Sequence, residues 1–137
     1  MKNIAKTCLV ALLLSVAVPS FALDKMYSNK ETFLGKYKND MYYLINDSST
    51  TLGENVHYQV KRVLYKPRKL WLSDNVLIYE ITDKSMRCKD KLATRYKTTK
   101  YGEDDLNFDY KYHFTRYKKV LPNTADDKVF KQVCTSN

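Results

Sequence analysis

Acid–base and metal chemistry need histidines, reactive cysteines or convergent carboxylates, and this chain offers few of them. Its two histidines, His57 and His113, each fall on the polar side of an alternating run, and no third ligand stands at a spacing that would complete a zinc site. Both read as surface residues of strands. Glu103, Asp104, Asp105 and Asp109 crowd one stretch but lack the ordered pattern of a calcium loop, so they read as a solvated turn. A glycine-rich phosphate loop and a nucleophile elbow are both missing. The expectation is a non-catalytic protein with no cofactor and no metal site.

The features that remain are electrostatic and aromatic. Lys61, Arg62, Lys66, Arg68 and Lys69 gather around Pro67, with Tyr65 and Trp71 beside them. Cations supply attraction and flat rings supply contact area, which makes Lys61, Arg62, Lys66, Arg68, Lys69 and Trp71 the candidate binding residues. A second basic string, Lys84, Arg87, Lys89, Lys91, Arg95 and Lys97, surrounds Cys88 and extends that patch. The competing reading of both strings is solvated charge.

These residues need a frame, and the patterning predicts one dominated by strands. Met41 to Ile45 is a short apolar run followed by the polar turn Asn46-Asp47-Ser48-Ser49, and Gly53-Glu54-Asn55 introduces the next strand. From Val56 the residues alternate, with Val56, Tyr58 and Val60 on one face and His57, Gln59 and Lys61 on the other. That strand is expected to reach Tyr65 with a slip near Arg62, before Lys66-Pro67-Arg68-Lys69 forms a basic loop, since proline supplies no ladder donor. Val76 to Thr82 and Lys91 to Tyr101 are further extended runs. The clearest alternation sets Phe108, Tyr110, Tyr112 and Phe114 against Asp109, Lys111, His113 and Thr115. At the C-terminus the period changes: Thr124 caps a helix with Asp126 and Asp127 in its first turn and Val129, Phe130 and Val133 as its apolar stripe, ending at Cys134. The fold class is α+β, mainly β, with a twisted antiparallel sheet and a short C-terminal helix.

Residues 1–22 read as a cleaved signal peptide. Lys2 and Lys6 precede an apolar run from Cys8 through Val18, and Ser20 and Ala22 are the small residues of a cleavage site. The run is shorter than the roughly 20 residues that a membrane span requires. Cys8 opens the apolar run rather than following it, where it cannot be a lipid-modified residue at the cleavage point, so the mature protein is expected to be periplasmic, secreted or on the cell surface of a Gram-negative bacterium without a lipid anchor. Residues 23–137, about 115 in number, suffice for a single domain. They keep two cysteines, Cys88 and Cys134, an even pair in an oxidising compartment; a disulfide is the natural reading and two buried free thiols the other. If Cys88 ends a strand, that disulfide ties the closing helix to the sheet. Losing Lys2 and Lys6 lowers the formal charge from +9 to about +7. Such a domain attracts polyanions. Export takes nucleic acid out of reach and leaves acidic protein surfaces, glycans and anionic lipids as partners. All 12 tyrosines follow residue 22, a composition that suits sheets and binding faces alike.

The chain resembles the bacterial surface-adhesin protein E family. The resemblance is carried by Met41-Tyr42-Tyr43-Leu44-Ile45 with its turn, by Tyr79-Glu80-Ile81 leading to Cys88, and by Tyr117, Val120, Pro122-Asn123-Thr124 and Cys134. Asn123 stands where the family tends to have glycine, and asparagine also tolerates left-handed backbone. The lipid-modified cysteine of the family is absent. The resemblance implies an adhesin E-like domain over residues 23–137, a Cys88–Cys134 bridge and homodimerisation. It also implies adhesion to host matrix or serum proteins through a basic region before the first cysteine, where Lys66, Arg68 and Lys69 lie. The alternative function is a periplasmic inhibitor or immunity-type protein that binds a bacterial enzyme.

Overall fold

The computed structural model describes residues 30–71 and 73–135; the signal peptide expected at residues 1–22 lies outside them. Two tight turns start the sheet. β1 (Glu31–Tyr37) returns as β2 (Asp40–Ile45) through Lys38 and Asn39, both at positive φ, 50° and 74°, the turn whose twist matches that of the paired strands. After a 3-10 turn at Asn46–Ser48, β3 (Thr50–Leu52) turns at Gly53, φ 60°, into β4 (Asn55–Lys69). There follow β5 (Val76–Arg87), β6 (Leu92–Tyr101), β7 (Asn107–Tyr112), β8 (Lys118–Lys119) and one helix, α1 (Ala125–Val133). The strands form one antiparallel sheet in the order β1-β2-β4-β5-β6-β7, with β3 beside β4 and β8 beside β6.

Register explains the core. Leu44 lies opposite Val60, Val56 opposite Met86, and Met86 opposite Ala93, and residues directly opposite share a face. Leu44, Val60, Met86 and Ala93 form the buried cluster with Leu34, Tyr58, Val120 and Val129, covered by Ala125, Phe130 and Val133 of α1. The alternation of Val56, Tyr58 and Val60 is therefore the signature of a half-buried strand, as expected. Thr124 caps α1 by accepting from the Asp127 amide, and the Asp127 carboxylate accepts in return from the Asn123 amide at 3.2 Å. Asn123 itself sits at φ 59°. Cys88 follows β5 directly and is bonded to Cys134 just past α1, Cα–Cα 5.5 Å, so the bridge fastens the helix onto the central strands.

The structure departs from the sequence expectations at two places and adds a strand at a third. Lys66-Pro67-Arg68-Lys69 is not a loop: β4 continues to Lys69, and Arg68 and Lys69 pair with Leu77 and Val76. Proline is tolerated because the register shifts between Val63 and Arg68, and a bulge needs no ladder donor there. The alternation from Phe108 to Thr115 is strand only as far as Tyr112: Tyr110 and Tyr112 are largely exposed and Phe114 lies past the end of β7, fully exposed. β7 is an edge strand outside the area that α1 covers. Finally, β1 was not anticipated, although it supplies Leu34 to the core; a bulge between Phe33 and Gly35, with Gly35 at φ 139°, breaks its alternation.

Candidate binding surface at the end of the β4–β5 hairpin

β4 and β5 outrun their neighbours. β2 last pairs with β4 at Met41–Val63, and β6 last pairs with β5 at Tyr79–Tyr101, so Arg68–Leu77 and Lys69–Val76 lie beyond both flanking ladders. Leu77 is completely buried at the base of this arm. Asp40 secures its irregular edge, with one oxygen accepting from the Tyr65 amide at 3.0 Å and the other from both Nε and Nη2 of Arg62, at 2.8 and 2.6 Å. Burial would raise the Asp40 pKa, but these donors outweigh it and hold the carboxyl below its ordinary value.

The six candidate residues divide between this arm and the sheet behind it. Lys66, Arg68, Lys69 and Trp71 stand on the arm, where Trp71 is 97% exposed and neighbouring Tyr65 62% exposed. Lys69 reaches Asp74 only at 3.7 Å, between two highly exposed side chains, an arrangement that contributes little. Lys66 and Arg68 make no ion pair among the described residues. Lys61 and Arg62 do not join them, because successive strand residues point to opposite faces. Lys61 bonds Glu31 at 3.0 Å and lies over the Tyr79 ring at 4.7 Å. Arg62, on the helix face, links Asp40 to Glu80. Both are internal ties.

The second basic string is divided as well: Lys84 pairs with Asp126, Arg87 with Asp90 and Lys91 with Asp127, while Lys97 lies over Tyr110. The two histidines are on opposite faces. His57 stacks on Tyr96 with centroids 5.8 Å apart, whereas His113 bonds the Thr98 hydroxyl at 2.9 Å. Among the described residues, no group of three His, Cys, Asp or Glu side chains is placed to hold a metal ion.

A single antiparallel sheet, closed on one face by a C-terminal helix that a disulfide locks to its middle strand, defines the class of domain. Its likeness among solved structures is to protein E of Haemophilus influenzae. One crystal form aligns with a TM-score of 0.60 at 18% identity, covering 69% of this chain and 80% of that one. Protein E from non-typeable Haemophilus influenzae aligns with a TM-score of 0.61 at 18% identity, covering 75% of each chain. The likeness is one of fold. No family model and no curated protein matches the chain. Among the described residues no helix is long and apolar enough to cross a membrane.

Proposed function

We propose that the chain is an exported, non-catalytic binding protein acting in the manner of the surface adhesins it resembles, and that the end of the β4–β5 hairpin carries its contact surface for an acidic protein. One observation carries this reading: Trp71 and Tyr65 are exposed on a projecting arm beside Lys66 and Arg68, which have no ion-pair partner among the described residues. Large aromatic side chains held in solvent next to cations are the residue types that dominate protein contacts, and a partner with an acidic patch would complete the arm's charge. The shared fold with protein E supports the adhesin mode.

The test is surface plasmon resonance of the mature chain against host matrix and serum proteins. Trp71→Ala is expected to weaken the response by about 2 kcal/mol, as for a central aromatic anchor, and Lys66→Ala/Arg68→Ala/Lys69→Ala to slow association and reduce its salt sensitivity. Unchanged binding in both variants refutes the site. Fractionation of the producing bacterium tests the setting, since confinement to the periplasm would refute the adhesin mode.

A further inference from the structure

A groove of about 830 Å3 runs along the helix side of the sheet, between β6, β7, the residues leading through β8, and the start of α1. Register places three cations on this face. Arg95 lies opposite Lys84, which lies opposite the core residue Tyr58; Lys118 lies opposite the core residue Ala93; Lys111 lies opposite Thr98, in line with Thr82 and Val60. Arg116 and Lys119 also line the groove. None of these five cations makes an ion pair with an acidic side chain among the described residues. The carboxylate in the lining, Asp126, already accepts from Lys84 at 2.7 Å and from the Tyr58 hydroxyl at 3.1 Å. Burial, with Arg95 and Lys111 close by, holds His113 below the ordinary imidazole pKa. Phe114 stands fully exposed at the edge of the groove.

On the rest of the sheet several cations are neutralised singly, as at Lys61–Glu31, Arg62–Asp40 and Lys100–Asp109. Arg95, Lys111 and Lys118, gathered on one face without an ion pair among the described residues, suit a ligand of matching charge density. An extended acidic peptide offers same-face carboxylates only every second residue, about 7 Å apart, each with two acceptor oxygens. A sulfate group presents three oxygens to the planar fork of an arginine and to lysines around it, and successive sugars repeat it. Of the apolar groups in the lining, Ala93 and Val120 are core residues already buried, while Tyr112, Phe114 and Leu121 are exposed, so the cations supply attraction and the exposed side chains supply contact area. We infer that this groove is a second binding site, separate from the hairpin arm, for the sulfate groups of an acidic glycan chain. Phe114 offers its flat face to a sugar ring there.

The experiment is isothermal titration of the mature chain with a size-defined, heparin-like sulfated oligosaccharide, repeated across salt concentrations. Arg95→Gln/Lys111→Gln/Lys118→Gln is expected to weaken binding roughly tenfold or more and to lower the slope of log Kd against log salt by about two to three, one for each lost contact. Lys66→Ala/Arg68→Ala/Lys69→Ala should bind as the parent does. Should the triple groove variant lose its cooperative melt, Lys111→Gln/Arg116→Gln carries the same comparison. Binding within twofold of the parent in the groove variant overturns the inference, as does equal binding of a desulfated chain. Poly-glutamate or anionic vesicles binding more tightly than the glycan, and depending on the same residues, would assign the groove to another ligand class. Loss in the hairpin variant alone would place the glycan on the arm, and the inference would fail while the reading of the arm stood.

Discussion

Two adjacent aspartates do different work at the start of α1. Asp126 reaches the sheet, where Lys84 and Tyr58 hold it, and its charge adds to the burial that raises the Tyr58 pKa. Asp126→Ala leaves a buried hydroxyl and a half-buried ammonium without their acceptor and is expected to cost about 2 kcal/mol in urea unfolding. Asp127 lies between Lys91 at 3.0 Å and Lys131 at 3.1 Å. The ammonium of Lys91, then that of Lys131, brings its pKa down to about 2, against about 3.9 in an unfolded chain. A depressed carboxyl stabilises the fold fully above the unfolded value and loses that effect as pH falls through the folded one. Asp127→Asn should therefore melt below the parent at pH 5, with the gap narrowing by pH 2. A gap independent of pH would mean that the ion pairs with Lys91 and Lys131 do not stabilise the fold.

At the scale of elements, what was legible in the sequence is what local chemistry decides. Thr124, the acids after it and the stripe Val129, Phe130 and Val133 define α1 because capping, dipole and periodicity all lie within one short segment. The Val56 to Val60 alternation was legible for the same reason. β7 was legible as a strand but not as an exposed one, since an alternating aromatic pattern is the same whether its face meets a helix or solvent. The hairpin arm was misread because Pro67 signals a turn, whereas the bulge that accommodates it depends on Asp40, 25 residues from Tyr65. The groove escaped notice because Arg95, Lys111 and Lys118 converge only through register. Turn chemistry also yields a prediction. Lys38 adopts positive φ at the cost of strain, so Lys38→Asn with Asn39→Gly should stabilise the first hairpin by about 1 kcal/mol, seen as a higher melting temperature. The Cys88–Cys134 bridge spans 46 residues, and Cys88→Ala/Cys134→Ala should cost about 4 kcal/mol by loop entropy.

For the whole molecule, opposite ends of one rigid sheet carry separate basic surfaces, the arm beyond β2 and the groove beside α1. Long-range attraction adds their fields, while short-range contact distinguishes them. Raising salt well above about 0.1 M, where the Debye length is about 10 Å, is expected to slow association at both sites. Trp71→Ala should speed dissociation at the arm alone. Stopped-flow association across a salt series, with the two triple variants, separates these contributions.

The hairpin arm also fixes how the domain would respond to tension. β4 and β5 are the central strands, and a load applied at Trp71 runs along them and away from the sheet. The ladders to β2 and β6 then meet the force in shear, with many hydrogen bonds loaded together, whereas a pull across the strands would open them one at a time. At the far end of β5 the covalent link from Cys88 to Cys134 passes part of the load to α1, whose contacts would have to give way with the strand. In single-molecule extension, a tether at residue 71 paired with one at the C-terminus should yield at a higher force before reduction than after it.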